Sequence, residues 1–183
     1  EAAVVARGGG VHWAADADEA NALVTQLVRE AGADEVIKVK SMATQEIGLN
    51  EHLESEGITA HETDLAELIV QLGHDTPSHI LVPAIHRNRS EIRSIFLSEM
   101  DGVDPDLDAN PAHLAEASRK YLRHKFMTVP VAVSGANFGI AETGDIVVCT
   151  NEGNADMSTS IPKLHIVSMG IEKLVPNYKS MAV

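Results

Sequence analysis

"EVIKVKSMATQE", residues 35–46, changes periodicity halfway along. Its first half, "EVIKV" (35–39), is rich in β-branched residues and reads as a strand. Its second half starts a helix, with Ser41 or Thr44 placed to cap it. A strand running directly into a helix is the repeating unit of an α/β sheet.

The same alternation continues on both sides. Before the segment, Ala17, Ala20, Leu23, Val24, Leu27, Val28 and Ala31 share one helical face. Asp16 and Glu19 form a capping-box start to that helix and Gly32 a stop. A short apolar piece, "VHWA" (11–14), precedes it. After the segment, a helix is expected from about Thr44 to Ser55, ended by Gly57. Next come a strand at "ITAHET" (58–63) and a helix carrying Leu65, Leu68, Ile69 and Leu72 behind Asp64 and Glu67. "HILVP" (79–83) reads as a buried strand closed by Pro83. Asn88 and Glu91 open a helix whose face is Ile92, Ile95 and Phe96. Asn110-Pro111 starts the longest one, with Leu114, Ala117, Tyr121 and Leu122 inward. "VAV" (131–133), "IVVCT" (146–150) and "LHIVSMG" (164–170) are strand-like. The expected class is α/β, a mostly parallel sheet with helices on both faces. Residues 1–10 form a lead-in and 101–111 an acidic loop within a single domain spanning 1–183.

Composition excludes several function classes. The formal net charge of −13 over 183 residues argues against general nucleic-acid binding and against docking on an anionic membrane. No apolar run approaches the ~20 residues of a transmembrane helix, and no signal peptide is legible at the start. The missing initiator Met reads as an internal fragment or a trimmed chain. The single cysteine, Cys149, excludes an internal disulfide and fits a cytoplasmic setting. It also leaves the chain without the roughly four thiolates that an iron–sulfur cluster takes. The nine histidines show no metal-ligand spacing, so no metal is expected.

Open parallel sheets bind ligands beyond the carboxyl ends of their strands. Candidate ligand contacts are therefore Lys40, Ser41 and Thr44 after the first strand, and His86 and Asn88 in "PAIHRNRSE" (83–91). The alternative reading is plain helix capping, by Ser41 or Thr44 in the first segment and by Asn88 in the second. Seven of the fourteen Lys and Arg fall in two segments, Arg87 to Arg93 and Arg119 to Lys125. They suit either an anion or a solvated face paired with acids. "GANFGIAETGDIVVCTNEGN" (135–154) brackets a core strand with polar turns. Asn137, Thr143, Gly144, Asn151 and Gly153 are its candidate ligand contacts. Glu142 is a candidate general base or nucleophile, or a carboxylate that fixes the turn. Cys149 reads as a buried, inert thiol.

Six segments in order resemble the LUD domain family: "GGGVHWA" (8–14), "KSMATQEIGLNEHLESEGI" (40–58), "ETDLAELIVQL" (62–72), "HILVPAIHRNR" (79–89), "SGANFGIAETGDIVVCTNEGN" (134–154) and "HIVSMGIEKLVP" (165–176). The resemblance runs from about residue 7 to 176. It implies a fold like that of the sugar-phosphate isomerases and CoA transferases. It implies a part in oxidising L-lactate to pyruvate, alongside the other subunits of a three-protein complex. It places iron–sulfur clusters in a following ferredoxin-like region, whose cysteines are absent here. CoA transferases of that fold use a glutamate at a strand-associated turn, and Glu142 is similar in kind. The end, "NYKSMAV" (177–183), departs from the helical continuation expected after "EKLVP". The leading expectation is a lactate-utilisation domain with a strand-end pocket for a small anionic metabolite. A stand-alone isomerase or acyl/CoA-transfer enzyme is one alternative. A subunit-interaction scaffold is another.

Overall fold

The computed structural model describes residues 1–181, so the last two residues of "NYKSMAV" lie outside the described residues. In chain order the elements are α1 (Ala2–Val5), α2 (Ala17–Glu30), β1 (Glu35–Lys38), α3 (Met42–Glu46), α4 (Leu49–Ser55), β2 (Thr59–Glu62), α5 (Leu65–Leu72) and α6 (Arg89–Glu99). They continue with α7 (Pro111–Thr128), β3 (Val131–Ser134), β4 (Phe138–Ile140), β5 (Ile146–Val147), α8 (Asn154–Ser160), β6 (Leu164–Val167), a 3₁₀ turn (Ile171–Lys173), β7 (Leu174–Val175) and α9 (Tyr178–Met181).

The main sheet has the order β2-β1-β3-β6, with every pairing parallel. Side chains alternate across it because successive strand residues face opposite ways. Val36, Val131 and Val133 face α2 and α4, joining Val24, Val28, Leu49 and Leu53. Ile37 and Ala132 face the other way, joining Leu68 of α5, Phe96 of α6, and Leu114, Leu122 and Phe126 of α7. The α/β class with helices on both faces is therefore present as expected. A second sheet, β5-β4-β7, carries one antiparallel pairing.

The caps that the sequence signals are in place. Asp16 accepts from Glu19 N–H, and Asp64 from Ala66 and Glu67 N–H. Asn88 and Glu91 close a capping box, and Asn110 caps α7 with Pro111 behind it.

Several expectations change. The helix over 44–55 is broken into α3 and α4. Gly48 adopts φ +63°, a left-handed conformation that cannot continue a helix, and Asn21 donates to the freed Ile47 carbonyl at 2.7 Å. "HILVP" is not a strand; residues 78–86 form bends and turns. The outward backbone groups of β2 are already occupied. Gln71 donates to Ala60 O at 2.6 Å and accepts from Glu62 N–H at 3.0 Å, so one side-chain amide closes that sheet edge. "IVVCT" contributes only Ile146–Val147, and it pairs antiparallel to β4 rather than joining the main sheet. Cys149 beyond it is exposed, not buried. "VHWA" is irregular, with Trp13 exposed.

Both terminal regions are tied to the turn after β4. Gly144 (φ +76°) lies against Ala3 and Val4 of α1. Asp145 holds Arg7 from one side and accepts from Tyr178 Oη at 2.8 Å on the other. The acidic loop is anchored by Arg93, which donates to the Leu107 carbonyl.

Candidate functional site

The chain leaves β1 toward β2 on one side, and toward β3 and β6 on the other. The order therefore reverses between β1 and β3, the topological switch point where open parallel sheets take ligands. The two loops that leave the sheet there touch. Gly135 lies so close to Ser41 that a Cβ at 135 would meet Ser41 Oγ at 2.5 Å.

Polar groups concentrate at this edge. Lys38 and Glu62 end β1 and β2 opposite each other in register. Lys38 Nζ donates to Glu62 Oε1 at 2.6 Å, with side chains 0% and 4% exposed. Asn50 Nδ2 of α4 donates to the same oxygen at 2.8 Å, while Glu62 Oε2 has no partner among the described residues. Thr63 donates to Lys38 O at 2.8 Å and accepts from Asn154 Nδ2 at 3.3 Å. Lys40 stands 3.4 Å from Glu67 Oε1, which also accepts from Gln45 at 3.1 Å. Ser134 Oγ lies 2.7 Å from His165 Nε2, and burial lowers the pKa of that imidazole.

These groups form two tiers. Lys38, Thr44 and Ser134 are sealed from solvent and hold the strand ends together. Lys40 and Asn154 are only partly covered. Lys40 is 24% exposed at its side chain, and its ion pair is longer than that of Lys38, so its remaining N–H donors are the accessible positive charge at this edge. With the Ser41 hydroxyl they supply an ammonium, a hydroxyl and an amide, a donor set that suits a carboxylate.

Several expected contacts belong to this edge. Lys40, Ser41 and Thr44 do, although the Thr44 hydroxyl donates to Ser41 O and the Ser41 hydroxyl caps Thr44 N–H. Asn154 brings its neighbours Asn151 and Gly153 (φ +80°) to the end of β2. Asn137 follows β3, with its Oδ1 accepting from Cys149 N–H at 2.7 Å. The others sit elsewhere. Glu142, Thr143 and Gly144 lie past β4 on the second sheet, where Glu142 N–H bonds Pro176 O at 3.0 Å. Among the described residues no hydrogen bond joins them to Lys40 or Thr63. His86 and Asn88 are engaged near α6, His86 with Asp75 and Asn88 as a cap.

Two concave regions lie away from the strand ends. A groove of about 510 Å³ between α2 and α4 is lined by Thr25, Arg29, His52 and Glu56 among others. One of about 380 Å³ runs along the start of α6. The clustered cations are mostly tied internally, Arg119 to Glu116 and Lys125 to Glu35.

Lys38, Glu62, Glu67 and Asn154 join this edge without having been singled out as ligand contacts by the sequence pattern. A lysine inside a run as apolar as "EVIKV" was the available signal, since a strand covered on both faces must pair any charge it carries. The donors do not fit an iron–sulfur cluster, because Cys149 is the one thiol in the sequence. Among the described residues no group of three His, Cys, Asp or Glu is arranged to hold a metal ion. No described helix is long and apolar enough to cross a membrane.

The LUD domain family profile matches residues 1–183. Lactate utilization protein B of Oceanobacillus iheyensis is 48% identical over 177 residues, covering 97% of this chain and 36% of that protein. Proteins of the same name are 44% identical in Geobacillus sp. strain WCH70 and 45% identical in Macrococcus caseolyticus, each over 98% of this chain. The chain spans 38% and 37% of those two proteins, under two fifths of their length. No solved structure matches the chain at a significant level.

Proposed function

The chain belongs to the LUD domain family, and from that membership we propose that it is the LUD portion of a lactate-utilisation protein. In this reading it works in the cytoplasm beside other subunits that oxidise L-lactate to pyruvate. The strand-end edge binds a small carboxylate. Lys40 supplies the charge, and Ser41 and Asn154 supply hydrogen bonds. The observation that carries the reading is the partly open Lys40 beside the β1/β3 switch point, in a protein otherwise strongly acidic. Electron transfer through iron–sulfur clusters would be housed outside this sequence.

The test is growth on L-lactate of a host that depends on the protein carrying this chain. Lys40→Ala abolishes that growth while leaving the abundance of the protein unchanged. Growth at the wild-type rate contradicts the proposal.

The exposed side chains of Ile80, Leu81, Val82 and Ile85 favour a second reading, contact with another subunit. Leu81→Lys with Ile85→Lys would then weaken co-purification with that subunit and leave carboxylate binding intact. Unchanged co-purification counts against it.

A further inference from the structure

The loop between α5 and α6 folds back on itself instead of extending. Ser78 N–H donates to Pro83 O at 3.1 Å, and His79 Nδ1 accepts from Leu81 and Val82 N–H at 3.1 and 3.0 Å. This closure returns Ser78 to His86. Ser78 Oγ lies 2.6 Å from His86 Nδ1. The other ring nitrogen, Nε2, lies 2.6 Å from Asp75 Oδ2. Asp75 is itself fixed, with Arg87 Nε at 3.0 Å on Oδ2 and Thr76 N–H at 2.8 Å on Oδ1.

We propose that Ser78, His86 and Asp75 form a hydrolytic site for small acyl esters, as nucleophile, base and orienting carboxylate. The hydrogen bond to Asp75 keeps the imidazole proton on Nε2. That leaves the Nδ1 lone pair aimed at the Ser78 hydroxyl. The two ring nitrogens exchange roles relative to serine proteases, but a triad is defined by geometry and role rather than by labels. Pro83 O also lies 3.2 Å from Ser78 Oγ, farther than the imidazole.

In the first step Ser78 Oγ attacks the ester carbonyl and its proton passes to His86 Nδ1. The bond to the alkoxide breaks as His86 returns that proton to the leaving oxygen. Water, deprotonated by His86, then attacks the acyl-serine, releasing a carboxylic acid and restoring Ser78. Among the described residues, the backbone N–H groups of His79 and Ile80 donate to nothing within the chain. They are the available donors for the developing oxyanion. Ile80 (58% exposed) and Leu81 (76%) stand on the same loop and give an apolar acyl group a surface to lie on. This site uses none of the strand-end residues, so its failure and that of the carboxylate reading are distinguishable.

The test treats the chain with a fluorophosphonate probe and, separately, with p-nitrophenyl butyrate. The expected result is one phosphonyl adduct, on Ser78, together with release of p-nitrophenol. Ser78 is exposed, so Ser78→Ala keeps the wild-type melting temperature and abolishes both. His86→Gln slows labelling by about 100-fold or more. If His86→Gln melts early, wild-type chain unfolded in urea provides the second comparison, and its labelling must fall to the background of an ordinary serine. No adduct on Ser78, labelling that persists in urea, or ester turnover retained by Ser78→Ala overturns the proposal.

Discussion

Gly135 at the end of β3 abuts Ser41 at the end of β1, leaving no room for a Cβ between them. An alanine there would stand 2.5 Å from Ser41 Oγ and 3.0 Å from its Cβ. Gly135→Ala should displace Ser41 from its cap on Thr44 and cost about 1–3 kcal/mol, as overpacking does. Urea denaturation checks this. The loss should shrink in a Ser41→Gly background, and an equal loss in both backgrounds would locate the strain elsewhere.

The Lys38–Glu62 pair is sealed from solvent. Removing one charge strands the other. Lys38→Met should therefore destabilise by about 3–5 kcal/mol. Lys38→Met with Glu62→Leu should recover most of that loss, because no lone buried charge remains. A denaturant double-mutant cycle reads the coupling, and additive losses would contradict it.

Stability should fall on acidification from neutral pH. Burial depresses the pKa of His61 and His165 below the 6.5 of an unperturbed histidine. Between the folded pKa and 6.5 the unfolded chain binds more protons, so stability rises with pH across that window and is lost below it. Asp75 adds a loss at lower pH. Its hydrogen bonds to His86, Thr76 N–H and Arg87 hold its carboxyl well below its usual 3.8, and protonation ends them. Melting temperatures of His165→Gln between pH 7 and 5 should vary less steeply than wild type. An identical slope would remove His165 from the account.

Gly144 should be intolerant of a side chain. It adopts φ +76°, and a Cβ would meet Val4 N at 2.7 Å. Gly144→Ala should release α1 and open residues 7–10 to limited proteolysis. Arg7→Ala is the milder control, since the Arg7 side chain is 59% exposed and exposed pairs contribute about 0–1 kcal/mol. Protection of residues 7–10 in Gly144→Ala would show that α1 docks by other contacts.

The layer order was legible because β-branched runs and amphipathic faces are local signals. Asp16, Asp64, Asn88 and Asn110 announce their helices through cap chemistry that needs nothing distant. "HILVP" misled because its apolar content promises burial, while strand formation depends on a free sheet edge. Gln71, eleven residues from Ala60, had closed that edge. Glu142 stands out through glycine and acid spacing, but of those glycines Gly144 seats the N-terminal helix and Gly135 and Gly139 pack elsewhere. Lys38 and Glu62 escaped notice because their pairing depends on strand register, which no local pattern prints. Lys40 and Ser41 could be found because the carboxyl end of a parallel strand is a general place for ligands.

In the proposed reading the β1/β3 edge binds a small carboxylate through Lys40. Titrating ¹⁵N-labelled chain with L-lactate and with pyruvate, and following the backbone amides by NMR, tests it directly. Saturable shifts are expected at Lys40, Ser41, Thr63, Gly135 and Asn154, and they disappear in Lys40→Ala. Saturable shifts confined to the α2/α4 groove, shifts unchanged in Lys40→Ala, or none at these five amides would contradict it.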